Sequence, residues 1–143
     1  MNRRAPQRGA VLALALLGAA LPGCARSPHL AIEGPVARAS PALVGVVSIF
    51  LRVANSGSGG DALLRASVDV PGAVAEIHDV REGRMVRSDR LPIPARGSLE
   101  LRPGGPHIMV FQMPEGAAAG RELTVRLTFE TSGERLTSVT IER

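Results

Sequence analysis

From residue 121 to residue 130 the chain alternates without a break. Leu123, Val125, Leu127 and Phe129 fall on one parity, and charged residues or threonines fall on the other. A period of two predicts a strand with one buried face. Residues 44–53 form a run of apolar and β-branched side chains, the length and composition of a central strand. Shorter strands are predicted over 63–70, 73–80, 85–90, 98–101 and 107–113, and Ser132-Gly133-Glu134 turns the chain into a last one over 136–141. Gly and Pro punctuate most of the gaps, and residues 55–61 are a cluster of turn formers. No segment carries a helical period. The one Ala-rich stretch, 117–119, lies between Gly116 and Gly120 and is too short to nucleate a helix. About eight short strands separated by turns predict an all-β fold, a sandwich or Greek-key barrel. There is no internal repeat.

The N-terminus departs from this pattern. Arg3, Arg4 and Arg8 precede an apolar stretch over 10–21, which is too short to span a bilayer and has the layout of an export signal. It ends in Leu21-Pro22-Gly23-Cys24, a match to a bacterial lipobox with proline at an uncommon position. The expectation is a lipoprotein signal over 1–23, a lipidated Cys24 with a tether over 24–30, and a β-domain over 31–143. The plainer alternative is an ordinary cleaved signal with a stray cysteine. Two or more acyl chains on Cys24 would hold the protein stably on a membrane, on the periplasmic side. Ala25, where an inner-membrane retention signal would place Asp, weakly favours the outer membrane. Cys24 is the only cysteine, so no disulfide can form within the chain and the fold must rest on its core.

Charge narrows the partners. All 17 basic side chains are arginine, against 13 acids. Without Arg3, Arg4 and Arg8, 14 arginines remain, so the formal +4 falls to +1. No basic run is interleaved with aromatics, so a nucleic-acid groove is not expected. The 120 residues from Cys24 onward suit one domain, expected to be a monomer.

The candidate chemistry lies in two short segments, His78-Asp-Val-Arg-Glu-Gly-Arg-Met85 and His107-Ile-Met109. Strand residues two apart share a face, so His107 and Met109 point the same way. Glu82-Gly83 is a natural hairpin turn. With an even loop, His78 faces residue 85, or faces residue 87 with Met85 as its diagonal neighbour. Either register puts His78 and Met85 on one face; an odd loop or a bulge would separate them. Two imidazoles and two thioethers without a thiolate suit Cu(I) far better than zinc, calcium or magnesium. The alternative is ordinary: methionines as core filler and histidines with satisfied hydrogen bonds. Spacing alone leaves the two readings even. Met113 is assigned to the core and His29 to solvent. Glu76 shares a face with His78 and reads first as a solvated edge residue, second as an acceptor that orients the imidazole.

These residues resemble a known family, the periplasmic copper(I) chaperones called PCuAC. The family motif is His, ten residues, Met, twenty-one residues, His, one residue, Met. Met85 and His107 are separated by the same twenty-one residues, and Pro103-Gly-Gly-Pro-His-Ile-Met109 is similar in wording, as are Ala75-Glu-Ile-His78 and residues 127–133. The first spacing differs: six residues lie between His78 and Met85 instead of ten. Two residues lost from each hairpin arm would preserve the facing. The resemblance spans roughly 30–142 and implies a cupredoxin-like Greek-key β-barrel. It further implies one Cu(I) held by His78, Met85, His107 and Met109, and delivery to a copper acceptor such as a cytochrome c oxidase subunit or a Sco-like protein.

Three classes of function are thus in view. The first is a lipid-anchored Cu(I) carrier. The second is a structural or interaction module of the same fold that has lost its metal, for which the shortened hairpin speaks. An enzyme is not expected: no Ser/His/Asp order, no paired carboxylates and no phosphate loop are apparent, and Ser48, Ser56 and Asp61 have no histidine near in sequence.

Overall fold

The computed structural model describes residues 25–114 and 119–142. The export-signal and Cys24 assignments lie outside them. Ten strands follow one another: β1 (Leu30–Ala39), β2 (Val47–Asn55), β3 (Asp61–Val68), β4 (Val74–Arg81), β5 (Arg84–Arg87), β6 (Leu91–Ile93), β7 (Gly97–Leu101), β8 (His107–Phe111), β9 (Glu122–Phe129) and β10 (Gly133–Glu142). The all-β expectation holds, with no helix among the described residues.

Hydrogen bonding runs along β5-β4-β8-β2-β1-β10-β9-β3-β6, with β7 also paired to β2. The β1–β10 pair is parallel and joins two otherwise antiparallel halves. Both halves point alternate side chains into one core. Ile49, Ile77 and Ile108 come from the first half, and Leu63, Leu127 and Phe129 from the second. Strand β9 shows why: its four buried positions are the four apolar residues of the alternating run. Met113 is buried in this core, as assigned.

Two strands were not foreseen. β1 carries Gly34-Pro35, and its pairing with β2 slips between Glu33 and Val36, where a bulge absorbs the proline. β6 carries Pro92 but lies at the end of the path, where a missing backbone N–H costs nothing in the ladder. The strand expected from residue 44 begins at Val47 instead; Val44 is 91% exposed, and Gly45 turns the chain at φ 72°.

The segment read as a tether is bound to the domain at Ser27 and His29. Gly59 N–H donates to the Ser27 carbonyl, Ser56 N–H to the His29 carbonyl, and His29 N–H to Asn55 Oδ1, each at 3.0 Å. A side chain at Gly57 or Gly59 would strike the backbone at Ser27 or Arg26, so glycine is required there.

Asp61 has a structural task. Its carboxylate accepts N–H bonds from Ala62, Thr131 and Ser132, tying the start of β3 to the β9–β10 turn. Burial pushes its pKa up, but the bonds from Ser132, Thr131 and Ala62 outweigh that and hold it below the ordinary value.

Candidate metal centre

Strands β7 and β8 both pair antiparallel to β2, one after the other. β7 runs beside Asn55 to Leu51, and β8 beside Ile49 to Val47. They form one strand interrupted by a five-residue excursion, 102–106. Arg102 N–H bonds the Pro106 carbonyl at 2.8 Å and pinches the excursion shut. The chain returns to the sheet at His107 and continues between β2 and β4.

Register then decides which side chains share a face. His78 of β4 stands directly opposite His107 of β8, and Glu76 opposite Met109. On its other side His78 faces Arg87 of β5, with Val80 facing Met85. Arg81 pairs with Arg84, so the hairpin loop is the two residues Glu82-Gly83, at φ 51° and 75°. Positive φ at both positions is the type I′ geometry that matches strand twist. The even-loop expectation is met in its second form, with Met85 diagonal to His78. All four residues named from the sequence lie on the outer face of the sheet, opposite Ile77 and Ile108, which enter the core.

They are not equally gathered. The imidazoles of His78 and His107 lie 5.8 Å apart, centre to centre, inclined at 62°. His107 is 6% exposed, Met109 8%, and the His78 side chain 11%. Met85 is 53% exposed on the end strand β5. The structure thus clusters His78, His107 and Met109 and leaves Met85 at the rim of the same face.

Hydrogen bonds orient both rings. His107 Nδ1 lies 2.8 Å from the Gly105 carbonyl, which can only accept, so Nδ1 carries the proton and Nε2 keeps its lone pair. His78 Nε2 lies 3.1 Å from Glu76 Oε2, so there Nε2 carries the proton. That leaves His78 Nδ1 with a lone pair, and it is buried with no hydrogen-bond partner among the described residues. An orphaned buried acceptor costs about 1–3 kcal/mol, and such an atom needs an explanation.

Two neighbours escaped the sequence reading. Phe50 packs 6.1 Å from the His107 ring and Phe111 6.1 Å from the His78 ring, so two of the three phenylalanines wall the histidines. Parity offered a signal. Phe50 shares a face with Ser48 and Arg52 rather than with the core residues Ile49 and Leu51, and an aromatic on the polar side of a strand marks a covered site. Among the described residues, no three His, Cys, Asp or Glu side chains converge as a metal-binding group.

A family model matches residues 30–141, nearly the whole described chain. The chain belongs to the LpqE-like family. Solved structures extend the comparison. The apo PCuAC domain of PmoF1 superposes with a TM-score of 0.69 at 24% identity, over 81% of this chain and 98% of that one. The copper-bound PCuAC domain of PmoF2 gives 0.63 at 23% identity, over 80% and 97%. The solution structure of Cu(I)-bound DR1885 from Deinococcus radiodurans gives 0.66 at 18% identity, over 85% and 83%. No curated protein matches the chain. At these identities the structural likeness speaks to the fold: this LpqE-like protein has the cupredoxin-like architecture of PCuAC domains, as the sequence resemblance implied.

Proposed function

We propose that this LpqE-like domain is an extracytoplasmic carrier of one Cu(I) ion, bound by His78, His107 and Met109, with Met85 as an outer, exchangeable ligand. The observation that carries the reading is that His78 has a buried Nδ1 without a hydrogen-bond partner among the described residues, on a ring centred 5.8 Å from that of His107. With about 2.0 Å for a metal–nitrogen bond and about 1.2 Å from ring centre to nitrogen, two rings sharing one ion lie up to about 6.4 Å apart. The 5.8 Å found here fits a bent N–metal–N arrangement. Neutral imidazole and thioether match the softness of Cu(I), and neither is a thiolate that an oxidising exterior would attack.

The arrangement also suits transfer. Phe50 and Phe111 keep water from the histidine side, while the Met85 side stays open. An acceptor's ligand can displace the Met85 thioether first and reach the ion without unfolding the domain.

The finer expectations join this proposal. The acceptor is a copper protein of the oxidase or Sco type. The carrier is held on the periplasmic face of a membrane through lipidated Cys24; the family's own description uses the word lipoprotein. Membrane confinement would raise the effective concentration of carrier near a membrane acceptor. Loss of acyl labelling and of membrane retention in Cys24→Ser is the outcome that supports the anchor; retention would remove it.

The exposure of Met85 favours one rival, a metal-free interaction module. Anaerobic titration with Cu(I) against a competing chelator separates them. The carrier takes up one equivalent, and uptake is lost in His107→Ala and Met109→Ala. No uptake above background in the parent protein leaves only the module.

A further inference from the structure

Glu76 does more than occupy an edge. Its Oε2 accepts from His78 Nε2 at 3.1 Å, and its Oε1 accepts from the Arg87 guanidinium at 3.3 Å. Arg87 is the direct cross-strand partner of His78. The carboxylate therefore links both strands of the hairpin and grips one edge of the ring. A quarter of its side chain is exposed, so water competes only in part.

We infer that Glu76 is a positioning residue that dedicates the two histidines to opposite ring nitrogens: His78 presents Nδ1 to the metal, and His107 presents Nε2. The inference rests on the copper reading and adds to it the coordinating atoms and the residue that selects them. The physical basis is a ring with two distinguishable nitrogens: the hydrogen bond made by one determines which nitrogen is free to ligate. On β8 the Gly105 carbonyl at the end of the excursion does this, on the Nδ1 side. On β4 a side chain does it, on the Nε2 side. Without Glu76, His78 can turn over about its side-chain bonds, and Nε2 can compete for the ion. The partner of Glu76 across the β4–β8 ladder is Met109, so the two share the ligand face.

The test is nitrogen-15 NMR of the histidine rings, with and without Cu(I) under anaerobic conditions, in the parent protein, Glu76→Ala and Glu76→Gln. In the metal-free parent, His78 should be fixed with the proton on Nε2 and His107 with the proton on Nδ1. Cu(I) should then move the Nδ1 resonance of His78 and the Nε2 resonance of His107. In Glu76→Ala, the His78 ring should average between its two forms and chelator competition should show about tenfold weaker Cu(I) binding, the low end for an outer partner of a ligand. Glu76→Gln, whose amide oxygen can still accept from Nε2, should restore Nδ1 ligation and most of the affinity. Unchanged thermal unfolding of the variants separates positioning from folding. A Cu(I)-induced shift at His78 Nε2 in the parent, or Glu76→Ala with unchanged rings and affinity, overturns the inference. If Cu(I) moves neither ring, the carrier reading fails, and the metal-free spectra decide the role of Glu76. A His78 ring fixed by Glu76 supports it; one that averages in the parent overturns it.

Discussion

The β8 side of the ligand face and the β5 side are built differently. His107 and Met109 stand on a strand paired on both flanks, with β2 on one side and β4 on the other, and both are nearly buried. Met85 stands on a four-residue strand at the end of the hydrogen-bonded path, paired with β4 alone among the described strands. His78 lies between, held by Glu76. One flank is fixed by the core beneath it and the other by a hairpin of two strands, which alone has little stability. On the proposed carrier reading that asymmetry has a use: the rigid flank would set what can bind, and the looser flank how the cargo leaves.

Removing His107 tests the rigid flank and should have the largest effect. His107→Ala should weaken Cu(I) binding by about 100-fold or more, since even outer partners of a ligand are worth about 10–100-fold. Chelator competition measures it, and an affinity within a few-fold of the parent would end the comparison at once.

The core beneath that flank can be loosened directly. Ile108 is fully buried and points away from the ligand face. Ile108→Ala should cost about 2–5 kcal/mol in denaturant unfolding. At temperatures where the variant stays folded, it should still take up one equivalent of Cu(I).

The two methionines give the sharpest contrast. Met109→Ala should weaken binding by about tenfold more than Met85→Ala, by about 1.4 kcal/mol in binding free energy. Equal losses would mean that the rim closes over the ion as tightly as the buried flank does. Adding a single residue beside Gly83 should mimic Met85→Ala, because a shift of one turns Met85 to the other face. In hydrogen exchange, amides of 82–87 should exchange quickly in the metal-free protein and slow on Cu(I) addition, while those of 108–110 stay protected throughout.

Acid also probes a third region, the start of β3. The folded pKa of Asp61 is below its ordinary value, so it contributes stability that is complete above the unfolded pKa of about 3.9 and is lost as pH falls through the folded value. Thermal unfolding below about pH 4 should show that loss equally in the parent and in Met85→Ala.

Much of this face was legible in advance because its logic is local. A two-residue turn and a parity argument suffice to place His78 and Met85 together, and His-x-Met needs only the strand period. What was hidden depends on distant pairing. That 97–101 and 107–111 are one strand interrupted by an excursion follows from their shared partner β2, more than forty residues earlier for each pair. That Glu76 can reach His78 was readable as a second possibility from their shared face, but the bond to it from Arg87 of the next strand was not. β1 and β6 were hidden for another reason: their prolines read as breaks, and only the bulge and the edge position make them tolerable.

The clasp over Gly57 and Gly59 has a bearing on where such a carrier could work. Only Ala25 and Arg26 separate Ser27 from Cys24. An acyl anchor at that cysteine would leave a stalk two residues long. β4 runs in the same direction as β2, so the Glu82-Gly83 tip lies at the end of the sandwich where that stalk is attached. The protein would ride the bilayer like a short mooring post, with its open thioether low over the headgroups, and a receiving site would have to lie within a similar height of the lipid.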